Sequence, residues 1–139
     1  MPLNAALLVT LRWSVLIGGL VIIVDLGTQA IQQRTAPSPD AVAELANANL
    51  VANIVLFSIL GAAVARKTGI FYLAALAGLV ASVLDGVVVA TAASMAPPPG
   101  DAMPIDMYLL QNILIGTIPA AIAGFVATLA DRMSGPRTG

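Results

Sequence analysis

The sequence predicts an all-α membrane protein, a bundle of four transmembrane helices, and three observations carry that prediction. Hydrophobic residues make up 59% of the 139 positions and charged residues 9%, with a mean hydropathy of +0.97. A soluble domain is about half apolar and about a quarter charged, so this chain has too few polar side chains to cover itself against water. Four apolar stretches reach the roughly 20 residues that a helix needs to cross a hydrocarbon core about 30 Å thick. The segments between them collect proline, glycine and charge.

The four spans are expected at 6–31, 45–65, 70–95 and 107–130, in a single domain. Between the first two, Pro37, Pro39 and Asp40 suit a loop feeding a helix that starts near Asp40. Arg66-Lys67-Thr68-Gly69 is too short for anything but a tight helical hairpin, with Gly69 as its cap. Residues 96–106 hold Pro97, Pro98, Pro99 and Pro104 and cannot be helical throughout. Residues 132–139 form a short tail. Strands are disfavoured, because the apolar runs are long, rich in Ala, Gly and Leu, and lack a period of two.

Charge placement predicts the orientation. Arg12, Arg66, Lys67, Arg132 and Arg137 fall on one side of the spans, and Arg34 on the other with Asp40, Glu44, Asp101 and Asp106. The positive-inside bias therefore puts both termini in the cytoplasm, with a bacterial cytoplasmic membrane as the expected site. Trp13 and Tyr72 then lie near the inner interface and Tyr108 at the outer one, where amphipathic rings are favoured. A signal-peptide cut after Ala30 is conceivable, but the segment before the first span lacks a basic cluster and the apolar run is long.

A shift of 59 residues lays the first two spans on the last two without a gap: Gly19 falls on Gly78, Asn53-Ile54 on Asn112-Ile113 and Ala62 on Ala121. The alignment predicts two tandem helical hairpins of the same direction, related by an axis along the membrane normal. Chance matches are common in a chain this rich in Ala, Val and Leu. The repeated Asn is the least expected part, because Asn is rare in lipid.

Asp25, Asn53, Asp85 and Asn112 form the candidate intramembrane polar site. A carboxylate at mid-bilayer costs at least about 2.5–3.5 kcal/mol, so such groups face protein or water. Counted from the outer ends of the expected spans, Asp25 lies about 9 Å deep, Asp85 about 15 Å, Asn53 about 12 Å and Asn112 about 8 Å. All four fall in the outer half, where Thr28, Gln29, Asn49 and Gln111 add polar atoms. The expectation is a polar cavity open to the outside with one Asp–Asn pair per hairpin, able to take a proton or a cation. The competing reading is that these groups hydrogen-bond across helices and only fix packing, at about 0.6 kcal/mol per contact. In the repeat frame Asp25 falls on Leu84 rather than Asp85, about 100° away around the helix, so the two acids need not be equivalent.

Further expectations concern single residues. Arg12 can snorkel to the inner surface or pair with Asp131 at the same level. Pro119 should kink the fourth span. Small residues spaced four apart, such as Gly61 and Ala65, Ala74 and Gly78, or Ala120 and Gly124, permit close helix approach, a weak signal in this composition. Ser58, Ser82, Thr117 and Thr128 are expected to bond their own helix backbone.

The chain has no Cys and no His, hence no thiolate nucleophile, disulfide, sulfur metal site or imidazole base. No metal or cofactor is expected, and phosphate-cradling Gly loops and the catalytic motifs HExxH, GxSxG and CxxC are absent. A net charge of −1 and a pI near 4.9 leave no footprint for nucleic acid. Three function classes remain. The leading one is a non-enzymatic bundle acting by contact: an accessory or assembly subunit, or a module holding a lipid or small ligand. Its partners are the bilayer and other membrane subunits or further copies of itself. The alternative is a small proton- or cation-coupled transporter or channel using Asp25 and Asp85. A membrane enzyme would have only Asp25, Asp85 and Glu44 as acid–base groups, and it ranks last.

Overall fold

The computed structural model describes residues 1–35, 38–95 and 104–134. They form four α-helices, α1 (Leu3–Thr35), α2 (Pro39–Thr68), α3 (Phe71–Met95) and α4 (Ile105–Met133). Each is long and apolar enough to cross a membrane, and no strand occurs among the described residues. The proline-rich stretch 96–103 and the tail beyond Ser134 lie outside the described residues, and with them Asp101 and Arg137.

Helices α1, α2 and α4 run past their expected spans at both ends, because a helix stops at a cap rather than where apolarity stops. At the start of α2, Ser38 Oγ accepts the Ala41 N–H at 3.4 Å, Pro39 takes the first turn and Asp40 follows it. Its end is closed by Gly69, which adopts φ 71° and donates its N–H to the Ala65 carbonyl at 2.8 Å. The connection from α2 to α3 is thus reduced to Gly69 and Ile70, and Arg66 to Thr68 belong to the last turn of α2. Gly69→Ala should lower stability by about 1 kcal/mol, because a Cβ is strained in the left-handed region. Gly69→Asn should lose less. The thermal midpoint of the purified variants reads both.

Helices α2 and α3 each pack against the other three, whereas α1 and α4 make no contact with each other. Two consequences follow. Arg12 on α1 is exposed and forms no ion pair with Asp131 on α4, since their helices are the one pair that does not meet. On the same side of the bundle, the Lys67 ammonium lies 5.8 Å from the centre of the Trp13 ring, joining α1 to the end of α2. Helix α4 continues through Pro119 from Ile105 to Met133. The missing proline N–H leaves the Ile115 carbonyl without its usual helical donor.

Burial is inverted relative to a water-soluble bundle. Large apolar side chains such as Leu7, Val15, Ile23, Val51, Ile122 and Phe125 are exposed, while Thr10, Ser14, Asp25, Asn53, Ser82 and Asp85 are buried. The core divides along its length. Toward the Gly69 turn, Ile17, Val21, Phe57, Leu60, Val64 and Leu73 form an apolar cluster. There Ser14 Oγ donates across helices to the Ala77 carbonyl at 3.2 Å as well as to Thr10.

Helix α4 meets α2 and α3 along a seam of small residues. A Cβ on Gly61 would overlap the Ala120 backbone carbonyl, and one on Gly124 would overlap the Ala74 side chain. A Cβ on Gly78 would stand 2.5 Å from the Gly116 carbonyl oxygen, and one on Gly116 would stand 2.9 Å from the Phe57 ring. Gly116, Ala120 and Gly124 recur every four residues, so one stripe of α4 carries the approach. Ser82 and Thr128 bond their own helix, to Gly78 at 2.8 Å and Gly124 at 2.9 Å. Thr117 departs from that pattern, its hydroxyl being buried without a partner.

Candidate functional site

Three helices each present one face, at positions i, i+3, i+4 and i+7, to a cavity of about 350 Å³. From α1 these are Asp25, Thr28, Gln29 and Gln32; from α2, Ala46, Asn49, Leu50 and Asn53, with Asn47 beside them; from α4, Tyr108, Gln111, Asn112 and Ile115. That spacing is one stripe of a helix. In a chain with so few polar groups, gathering this many amide side chains on converging stripes is the dominant feature of the molecule. The cavity lies toward the ends of the helices away from Gly69, and among the described residues no Lys or Arg lines it.

Asp25 is its most tightly held member. The Asn49 and Asn53 side-chain amides, one turn apart on α2, both donate to Asp25 Oδ1, at 2.8 and 2.9 Å. Thr28 Oγ1 donates to Asn49 Oδ1 at 3.2 Å and also bonds its own helix at Val24. The orientation of the Asn49 amide is thereby set from both ends. Asn53 is oriented by Asp25 alone, and its Oδ1 is buried without a donor.

Asp85, only 2% exposed, sits on α3 just outside the lining. Asn112 Nδ2 donates to its Oδ2 at 3.1 Å, and its Oδ1 has no donor. Asp25 and Asp85 face each other, close enough for charge–charge and hydrogen-bond interaction between the carboxyls. Their meeting has a geometric cause. Because α1 continues to Thr35, Asp25 precedes its helix end by ten residues, as Asp85 precedes Met95, so both sit about 15 Å from those ends. The shallower depth expected for Asp25 came from ending the helix at residue 31.

The four predicted polar residues are therefore brought together as the pairs Asp25–Asn53 and Asp85–Asn112, with the two acids near enough to interact electrostatically. Two further residues belong to the site. Asn49 supplies the shorter bond to Asp25. Tyr108, in the first turn of α4, lines the cavity with its hydroxyl beside Asn112. The signal was the i, i+4 pair Asn49 and Asn53 on α2 and the i, i+3, i+4 set Tyr108, Gln111 and Asn112 on α4. Among the described residues no cluster of three His, Cys, Asp or Glu is placed to hold a metal ion.

Two ionised carboxylates about 4 Å apart repel by about 4 kcal/mol at an effective dielectric constant near 20. A facing buried pair is thus stabilised by a positive charge beside it, whether a proton shared between the acids or a cation. Among the described residues the pocket offers the Asp25 carboxylate, amide side chains and the Tyr108 phenol, with no Lys or Arg in its lining. No protein-family model, curated protein or solved structure matches the chain.

Proposed function

We propose that the chain is an integral membrane protein, with both termini in the cytoplasm, that holds a small positively charged ligand in a cavity open to the outside, by binding rather than catalysis. The observation that carries this reading is the facing pair Asp25 and Asp85 at the buried end of a polar cavity that lacks basic residues. Membrane insertion is supported by four sufficiently long apolar helices with their large apolar side chains outward. The orientation is supported by the exposed cations Arg12, Arg66 and Lys67 at the end opposite the cavity. A holding role is favoured over a pore because the other half of the bundle is closed by the seam through Gly61, Ala120 and Gly124.

The tandem-hairpin repeat is part of this proposal. A two-fold axis between like-directed helices brings equivalent residues face to face, and the shift of 59 makes Phe57 equivalent to Gly116 and Gly61 to Ala120. Both pairs are in close contact. The same shift carries Asn49 onto Tyr108 and Asn53 onto Asn112, all on the cavity wall. Departure from symmetry is concentrated in α1 and α4, which do not meet although their counterparts α3 and α2 do.

The absence of native Cys makes the test clean. In intact cells a membrane-impermeant maleimide should label Gln29→Cys from outside, and Arg66→Cys only after permeabilisation. Added small cations should slow labelling of Gln29→Cys, and Asp25→Asn should abolish that protection. The reverse labelling pattern overturns the orientation, and an unreactive Gln29→Cys overturns the open cavity. A second reading, cation- or proton-coupled transport, is favoured by the facing acids alone. It requires a flux into proteoliposomes that Asp25→Asn or Asp85→Asn abolishes, and absence of flux in the unmodified protein removes it.

A further inference from the structure

The two acids of the facing pair are bonded unequally. Asp25 lines the cavity, and its Oδ1 receives the amide N–H groups of both Asn49 and Asn53. Asp85 stands off the cavity and receives one amide, from Asn112 on Oδ2 at 3.1 Å. Its Oδ1 is buried without a donor, in a residue 2% exposed. A cation held in the cavity does not reach that oxygen. No basic side chain does so either, because Arg12, Arg34, Arg66, Lys67 and Arg132, the Lys and Arg among the described residues, are all exposed. The ionisable groups within electrostatic reach of Asp85 are Asp25 on α1 and the Tyr108 phenol on α4. Helix α2 brings only the Asn49 and Asn53 amides, which bond Asp25, and its own Asp40, Glu44, Arg66 and Lys67 are exposed. An ionised Asp85 would therefore keep one oxygen without a donor while facing a second acid, and burial without a partner disfavours the charged form.

A carboxylic acid suits the same contacts. It has one carbonyl oxygen that accepts and one hydroxyl that donates. Asp85 Oδ2, which takes the Asn112 amide, matches the carbonyl oxygen, and Oδ1 needs only an acceptor once it carries hydrogen. The Asp25 carboxylate, within hydrogen-bonding reach of the Asp85 carboxyl, is that acceptor. We propose that Asp85 is a buried proton-binding site, held in the folded protein as the neutral acid with its proton on Oδ1 and hydrogen-bonded to the Asp25 carboxylate. The negative charge stays on Asp25, because the two asparagine amides bond its ionised form and so favour it. The pair then carries one proton and one negative charge, and the charge lies on the acid that lines the cavity. A ligand there meets a single carboxylate. The proton is held with or without a ligand, so this inference goes beyond the cation-holding reading and does not depend on it.

Infrared spectra of the protein purified in a detergent without carbonyl groups test the assignment. At neutral pH the unmodified protein should show the carbonyl stretch of a protonated carboxyl, moved by isotope-labelled aspartate and by exchange into heavy water. Asp85→Asn should lose that band. Asp25→Asn should keep it at a changed frequency, since an amide then replaces the carboxylate as acceptor. The amide of Asp85→Asn offers an oxygen to Asn112 and an N–H to Asp25, as the neutral acid does. Its thermal midpoint should therefore stay close to that of the unmodified protein. Protection of Gln29→Cys by sodium or methylammonium should also change by no more than about twofold in the Asp85→Asn background. Absence of the band from the unmodified protein overturns the proposal, as does a band that survives Asp85→Asn. A band lost in both variants overturns the assignment to Asp85 alone, and protection weakened about tenfold by Asp85→Asn shows an ionised Asp85. Should Asp85→Asn fail to fold, the labelled-aspartate band and its survival in Asp25→Asn decide the matter. A band at Asp85 with no cation protecting Gln29→Cys supports the proton site and removes only the cation-holding reading.

Discussion

Gly61→Leu should dismantle the bundle, whereas Gly19→Leu should leave it folded. Both are mid-helix glycines in apolar surroundings, and helix propensity alone would favour leucine at either. The difference lies in what a side chain would meet. At Gly19 nothing lies within 4 Å, so leucine enters space that lipid would fill. At Gly61 the first carbon would overlap the Ala120 carbonyl carbon and oxygen, which are backbone atoms of α4 and cannot rotate away. Overpacking costs about 1–3 kcal/mol where side chains yield, and more where they do not. The loss at Gly61 should therefore exceed about 3 kcal/mol, a large part of the 5–15 kcal/mol that typically holds a domain together. Gly61→Ala should fall between. The single tryptophan, Trp13, beside Lys67, reports the outcome. A loss of monodispersity and a shifted Trp13 emission are expected for Gly61→Leu only. Equal stability of the two leucine variants would show that the seam does not hold α4 in place.

The contrast between those glycines also marks where sequence reading stops. Helix number and order follow from span length and hydropathy, quantities summed over many residues and hence robust. The start of α2 close to Asp40 and the Gly69 cap were legible because helix-end chemistry is local, although the cap at Ser38 was not singled out. Which small residues form the seam was not legible, since the chain has small-xxx-small spacings on every helix and only the packing of α4 selects among them. Asp25, Asn53, Asp85 and Asn112 stood out because polar groups are costly in lipid. Their equal distance from the helix ends was missed because α1 runs on to Thr35, which an apolarity count ends too early. The proposed pairing of Arg12 with Asp131 failed for the complementary reason. Equal depth in a bundle brings residues together only when their helices are neighbours, and adjacency is a tertiary fact. The place of Tyr108 in the cavity lining was marked by its spacing from Gln111, Asn112 and Ile115, which is one helix stripe.

Asp25→Leu should destabilise the protein more than the triple variant Asp25→Leu/Asn49→Leu/Asn53→Leu, even though the triple variant removes more hydrogen bonds. Interhelical hydrogen bonds in membrane proteins contribute about 0.6 kcal/mol on average, so bond counting predicts steady decline across the series. The geometry predicts otherwise. Asp25 Oδ1 is the shared acceptor for Asn49 Nδ2 and Asn53 Nδ2, and removing it orphans both amides at once. An orphaned buried donor, here that of Asn53 since Asn49 is only half-buried, costs about 1–3 kcal/mol, whereas replacing donor and acceptor together by apolar groups can be nearly neutral. Leucine at Asn49 and Asn53 should therefore restore much of what Asp25→Leu loses, giving a coupling far from additive. Asp25→Asn should cost least, because its amide oxygen can still accept from one of the two asparagines. The midpoint order should be unmodified protein, Asp25→Asn, triple variant, then Asp25→Leu. A strictly additive series would mean that the asparagines find other partners and that Asp25 does not organise the cavity. If the predicted order holds, the triple variant is a folded bundle without its carboxyl–amide network. Added small cations should then fail to slow labelling of Gln29→Cys in that background, which separates what the acid does for the ligand from what it does for the fold.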